Sequence, residues 1–244
     1  MKYKNEKGQL HREDGPAVIK ADGTQKWYIN GQLHRTDGPA YIKPDGTQEW
    51  YNNGQLHREG GSAVIDAYGT QLWYNNGKLH RENGPAIIRI NGSRDWYING
   101  KLHREDGPAV IWVNGTREWY INGELYRKDG PTVINANGTQ EWWFNNQIHR
   151  EDGPAVIHTN GDEKWIVNGR YHRKDGPAAI YISGTQKWYF NGKHYREFDL
   201  PYILDKEKNT MTLSCGKEVP MSNDDYEKYK YKPGRFTKAA LHEN

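Results

Sequence analysis

The chain has 244 residues, 34% of them hydrophobic and 13% aromatic, with 34 Lys and Arg against 31 Asp and Glu. Leu, Met and Phe are scarce beside 10 Trp and 17 Tyr, which argues against a thick core built on Leu and Val and for a thin sheet covered by aromatics. The net charge of +3 is too balanced for the clearly basic domain that nucleic-acid binding calls for, and it is not that of an acidic DNA mimic.

The start, Met-Lys-Tyr-Lys-Asn-Glu-Lys, has no apolar run behind it, so neither a signal peptide nor a membrane span is expected. From Gly8 a strict period takes over. A tryptophan returns every 23 residues, eight times, at Trp27, Trp50, Trp73, Trp96, Trp119, Trp142, Trp165 and Trp188. An isoleucine keeps the same beat from Ile19 to Ile180, and an arginine from Arg12 to Arg196. A fixed short period marks a repeat architecture, in which each copy leans on its neighbours.

The repeat that begins at Gly15 reads G-P-A-V-I-K-A-D-G-T-Q-K-W-Y-I-N-G-Q-L-H-R-E-D. Residues 16–20 predict a short strand, with Pro at the first position, where a missing N–H is tolerated. Asp22-Gly23 predicts a turn, because Gly accepts positive φ without steric cost. Residues 25–29 predict a second strand, rich in aromatic and β-branched side chains. Asn30-Gly31 is the strongest short hairpin signal, a type I′ turn. Residues 32–35 continue as a third short strand or a strand-like arm, and Asp37-Gly38 turns into the next repeat.

Tight two-residue turns force antiparallel neighbours. We therefore expect an all-β fold, an elongated antiparallel β-hairpin array in which each repeat gives two or three strands of ~4–6 residues. No helix is expected in it, since Gly or Pro interrupts every ~8 residues. A parallel β-helix with one coil per repeat is the rival architecture, although Asn-Gly turns suit hairpins better than coil corners. Alternation puts Ala17 and Ile19 on one side, read as the packed one because both hardly vary, and Val18 and Lys20 on the other. Trp27 and Ile29 share a side, with Tyr28 opposite.

Phe190, His194 and Tyr195 read as a capping repeat that closes the apolar end. The period stops near Glu197, so residues 1–196 are read as the array and 197–244 as a C-terminal cap or partner-binding segment. There Tyr202-Ile203-Leu204 and Met211-Thr212-Leu213 predict a hairpin. Tyr226, Lys228, Tyr229, Lys230 and Tyr231 alternate aromatic and basic side chains, which fits a short helix begun by Ser222 or Asn223. The interleaving also suits single-stranded nucleic acid, but a surface cap or a tail that orders on a partner is the favoured reading.

The unit W-Y-x-N-G-x-L-H-R-x-D-G-P-A-x-I-x-x-x-G-T resembles the MORN repeat, which shares the 23-residue period, the aromatic followed by N-G, and the His a few residues later. The resemblance runs from Gly8 to about Tyr195. It departs at the turn, where MORN units carry H-G-x-G and this chain has H-R-x-D-G-P-A, so it looks like a variant branch of the phage, giant-virus and bacterial type. It implies an elongated β-hairpin array used for protein–protein or lipid contact, and it implies no catalysis. The altered turn weakens the carry-over of lipid binding.

The histidines at His11, His34, His57, His80, His103, His149 and His172 invite a metal reading. A two-strand repeat advances about 10 Å, however, whereas zinc ligands sit within about 2.1 Å of the ion. We read them as bonding a turn carbonyl, with the ring against Trp. Each Arg is read as stacking on a neighbouring Trp and bonding the Asp-Gly turn just after it, as Arg12 with Asp14. Repeated residues are scaffold, so function is sought where repeats differ. The most diverse column is Lys20, Lys43, Asp66, Arg89, Trp112, Asn135, His158 and Tyr181, read as an exposed binding face on the side opposite Ala17 and Ile19. Trp112 singles it out, because an exposed Trp is costly without a partner.

No P-loop, metal motif or nucleophile elbow occurs, and the only cysteine, Cys215, has no nearby His to activate it. The expectation is a non-enzymatic module that binds a protein partner, with no catalytic residue, no cofactor and no metal. Its specific form by analogy with phage-type repeats is an inhibitor or sequestering factor against a host protein. The alternatives are a sponge for a nucleotide or other small anionic ligand, and a lipid-associated scaffold. Open sheet edges make a homo-oligomer a further expectation. A lone cysteine suits a reducing, cytoplasmic compartment.

Overall fold

The computed structural model describes residues 1–195, 202–205, 210–213, 218–220 and 222. Among them there is no helix, and every strand pairing is antiparallel, as the tight turns require. The parallel β-helix is thereby set aside. The chain divides into two compact units, Met1–Ala136 and Asn137–Asn244.

In Met1–Ala136 one ladder of short strands runs through successive repeats. Val18–Ile19 pairs with Gln25–Lys26, which pairs with Tyr41–Ile42 of the next repeat, then Gln48–Glu49, Val64–Ile65 and Gln71–Leu72. The same alternation continues to Val133–Ile134. A second set of hairpins stands outside the ladder, formed by Tyr28–Ile29 with Gln32–Leu33 and the equivalents in later repeats.

The strand expected over residues 25–29 is thus two strands, and Trp27 is the joint between them. Its N–H donates to the Ala40 carbonyl in the ladder at 2.8 Å, while its own carbonyl accepts from His34 N–H in the hairpin at 3.2 Å. One residue serves two sheets, so neither strand can pass through it. The strands are two residues long, shorter than the expected four to six.

The turns follow the predicted chemistry. Asn30 and Gly31 have φ of 47° and 80°, the two positive values that a type I′ turn needs. The Gly31 N–H reaches back to the Leu10 carbonyl at 2.8 Å, which stacks one hairpin on the previous one. One turn breaks the Asn-Gly rule: Asn145 and Asn146 have φ of 49° and 57°. Only Gly holds the second position without a Cβ penalty. Replacing Asn146 by Gly is expected to stabilise the protein by about 0.5 kcal/mol, read as a higher denaturant midpoint. A lower midpoint would show that the Asn146 side chain does more than tolerate the turn.

The core is a thin line of alanines. Ala17, Ala40, Ala63, Ala86 and Ala109 are fully buried, and Thr132 takes that place in the next repeat at 3% exposure. Cross-strand partners separate two tracks. One alternates Ile with Gln or Arg, as in Ile19, Gln25 and Ile42; the other carries Val18, Lys26, Tyr41 and Glu49. The expected sidedness holds, but packing is not confined to the Ala and Ile side. Val18, Ile87 and Val110 are buried while Ile19 is only half-buried.

The first residues form an unforeseen cap. Tyr3 occupies the tryptophan's place: its N–H donates to the Ala17 carbonyl at 2.8 Å, and Arg12 lies 4.2 Å over its ring.

In Asn137–Asn244 the ladder runs Gln140–Glu141, Val156–Ile157, Glu163–Lys164, Ala179–Ile180 and Gln186–Phe190. Ile166, which breaks the Tyr pattern, packs with Ala155 and Val156, and Ile148 and Tyr171 lie against it. Gln186–Phe190 runs unbroken through Trp188 and pairs with Lys193–Tyr195. Tyr202–Asp205 and Thr210–Leu213 form the predicted hairpin, and a third strand, Glu218–Pro220, joins it. The boundary expected near Glu197 lies outside the described residues.

Candidate functional site

The repeated polar residues are consumed by the scaffold. Arg35 lies 4.2 Å over Trp27, and six more arginines from Arg58 to Arg173 cover the preceding tryptophan at 4.0–4.2 Å. Arg12, Arg35, Arg104 and Arg150 each donate Nε to the Asp two residues on at 2.8 Å, the stack and turn bond that the sequence implied. These hydrogen bonds hold the carboxyls of Asp14, Asp37, Asp106 and Asp152 below the usual range.

The histidines also work in the frame, but in the opposite sense to that expected. His11 Nδ1 accepts from the Asn30 backbone N–H at 3.1 Å, and the same bond recurs from His34 to Asn53 and from His57 to Asn76. A turn N–H is bonded, not a turn carbonyl, because the type I′ turn points its first amide at the previous hairpin. Open clefts lie between successive His-Arg loops, one of them lined by Arg12, Asp14, Trp27, Ile29, His34 and Arg35. The arginines in the cleft walls are already committed to Trp, or to Tyr3 in the case of Arg12, and in most to Asp. Among the described residues no group of three or more His, Cys, Asp or Glu could hold a metal ion.

The variable column is not the uniformly exposed face expected of it. Only Lys20 and Trp112 are exposed; Lys43, Asp66, Arg89, Asn135, His158 and Tyr181 are half-buried. For Lys43, Arg89 and Tyr181 the reason is a partner six residues on, across the ladder hairpin, and the exposed Trp112 has one too. Lys43 Nζ is 2.6 Å from Glu49, Arg89 makes a two-point ion pair with Asp95 (Nη1 to Oδ1 2.8 Å), and Trp112 Nε1 donates to Glu118 at 2.8 Å. Lys187 Nζ lies 5.5 Å over the Tyr181 ring. Where the facing residue is one of these acids, the column holds a donor. Asp95 is 4% exposed, so its charge needs that donor. Glu49 and Glu118 also accept from Tyr51 and Tyr120, whose phenols are pushed up first by burial and then by these carboxylates.

Function is better sought one or two residues further on, at the turn tips. The turn residue at Asp22 and Asp45 accepts the N–H two residues later at 2.8 Å. In the third repeat Asp66 takes over, its Oδ1 accepting from Tyr68 N–H at 2.9 Å and Thr70 N–H at 2.8 Å. Position 68 is thereby released from capping, and it holds a tyrosine that is 80% exposed. Ile90 in the next turn is 72% exposed and lies over Gly69, 3.6 Å from where a Cβ there would stand. In the turn after that, Trp112 is 40% and Val113 64% exposed. Val113 N–H donates to Ser93 Oγ at 3.0 Å, which clasps the last two turns, and Ile90 joins the first two by lying over Gly69, so these side chains share one edge of Met1–Ala136.

Sequence reasoning singled out Trp112 and missed Tyr68, Ile90 and Val113. The available signal was an apolar residue next to, or in place of, the Asp or Asn of a turn. Tyr226, Lys228, Tyr229, Lys230 and Tyr231 lie outside the described residues. No helix among the described residues is long and apolar enough to cross a membrane. No family model matches the chain, and no curated protein matches it in sequence.

Proposed function

We propose that this chain is a non-enzymatic, MORN-like binding module that engages a protein partner through the turn edge at residues 66–70, 89–93 and 112–116. The exposure of Tyr68, Ile90, Trp112 and Val113 on three consecutive turns carries the reading. In a chain of mean hydropathy −1.08, an exposed apolar edge over three successive turns is the mark of a contact surface. The aromatics at its two ends, Tyr68 and Trp112, fit the anchors of such a surface. An inhibitor or sequestering factor acting on a host protein is the specific form that the phage-type resemblance implies. The protein reading is favoured over the small-anion sponge because the arginines of the repeated clefts are held by tryptophan and, in most repeats, by a carboxylate.

The test is capture from a bacterial lysate with the wild type and with a Tyr68→Ser, Ile90→Ser, Val113→Ser variant. These three side chains are exposed and leave the ladder intact, so the two proteins are expected to melt alike. The wild type is expected to retain one stoichiometric protein and the variant to lose it. A partner retained equally by both would remove the turn edge as the contact surface.

A further inference from the structure

The same three turns differ from the first two in charge as well as in apolar content. Asp22 and Asp45 give way to Tyr68, Asn91 and Asn114. The asparagines cap as the aspartates did, Asn91 Oδ1 accepting from Ser93 N–H at 2.9 Å and Asn114 Oδ1 from Thr116 N–H at 3.0 Å. The turn is therefore unchanged while its carboxylate is gone. At the base of these two turns the glutamines of the earlier repeats, Gln25, Gln48 and Gln71, are replaced by Arg94 and Arg117. Both arginines are exposed, and they flank Ile111 on the ladder, so they stand about 10 Å apart. Neither makes an ion pair among the described residues, whereas Arg89 and Arg104 are held by Asp95 and Asp106. The Asp66 carboxylate is occupied by two backbone N–H groups.

Resting on the contact edge proposed above, we infer that its partner is a protein segment presenting apolar side chains interleaved with carboxylates. Two guanidiniums without an ion pair, beside two turns capped by asparagine and a third whose carboxylate is engaged by backbone N–H groups, favour acidic partners. Ile90 and Val113 supply the apolar half, and aliphatic tips suit a peptide side chain better than a stacked base. The three turns span about 20 Å, which an extended segment of about six residues covers.

The experiment is selection of a displayed random 12-residue peptide library on the full-length chain, in parallel with an Arg94→Glu, Arg117→Glu variant and the triple serine variant. The wild type is expected to enrich Asp and Glu alternating with Leu, Phe or Trp. The charge-reversed variant is expected to bind such a peptide at least about tenfold more weakly and to enrich Lys and Arg instead. Both arginines are exposed, so matching melting curves will show that the fold is kept. Peptides without acidic bias that are lost with the triple serine variant would overturn the acidic chemistry and leave the contact edge standing. Acidic peptides that bind the triple serine variant equally would overturn the edge, and no enrichment on the wild type would overturn both. Displacement of the selected peptide by a 12-nucleotide oligothymidylate, with equal loss in the charge-reversed variant, would assign the arginines to nucleic acid instead.

Discussion

Replacing Arg89 by Met is expected to destabilise the protein by about 2–3 kcal/mol at pH 7, because it strands the Asp95 carboxylate, which is 4% exposed. The figure is set below the full cost of breaking a buried pair because the Arg89 side chain is 32% exposed, and solvent offsets part of the loss. The chain supplies its own rescue. In the preceding repeat the same two places hold Asp66 and Leu72, where the aspartate caps its own turn and the facing side chain is apolar. The double variant Arg89→Asp, Asp95→Leu copies that solution and is expected to recover to within about 1 kcal/mol of wild type, measured by denaturant unfolding. If the double variant is as unstable as Arg89→Met, the column and its facing residue are not a coupled pair.

That coupling explains what the sequence made legible and what it hid. The Arg–Trp stack, the Asn-Gly turn and the Gly-bearing ladder turn were readable because each involves residues within one short window and recurs from repeat to repeat. Variation of Lys43, Arg89 and Trp112 looked like freedom, because the residue that compensates each one stands six positions on, and only the ladder register brings the two together. The break at Trp27 was hidden for a related reason. A run such as Gln25-Lys26-Trp27-Tyr28-Ile29 has strand propensity throughout, and only tertiary hydrogen bonding divides it between two sheets. Tyr3 escaped notice because the first hairpin carries a longer turn at residues 5–8, which shifts it one place off the period. The exposed turn edge was concealed by averaging, since Tyr68 sits at a position that other repeats give to Asp, Asn or Ser, and Ile90 and Val113 at one given mostly to Ala, Pro or Thr.

A double-mutant cycle at Trp96 and Arg104 is expected to give the largest loss in the array. Trp96→Ala should cost about 3 kcal/mol, because a large half-buried ring is removed from a core otherwise made of Ala and Val. In a repeat array each copy contacts only its neighbours, so a loss at a central joint also weakens the coupling on both sides. Arg104→Ala should cost about 1 kcal/mol, and the double variant roughly 0.5 kcal/mol less than the sum, since the guanidinium lies 4.2 Å over that ring and has nothing left to cover. Trp73 and Arg81 provide the control. The stack there is 4.0 Å and Arg81 Nη1 still donates to the Pro85 carbonyl at 3.1 Å, but Asn83 stands where Asp106 stands in the later repeat. Arg81→Ala is therefore expected to cost slightly less than Arg104→Ala, with the same coupling to its tryptophan. Equal single-variant costs would mean that the exposed Asp adds nothing. A coupling that vanished with the Asp would mean that the ion pair, and not the stack, holds the arginine in place.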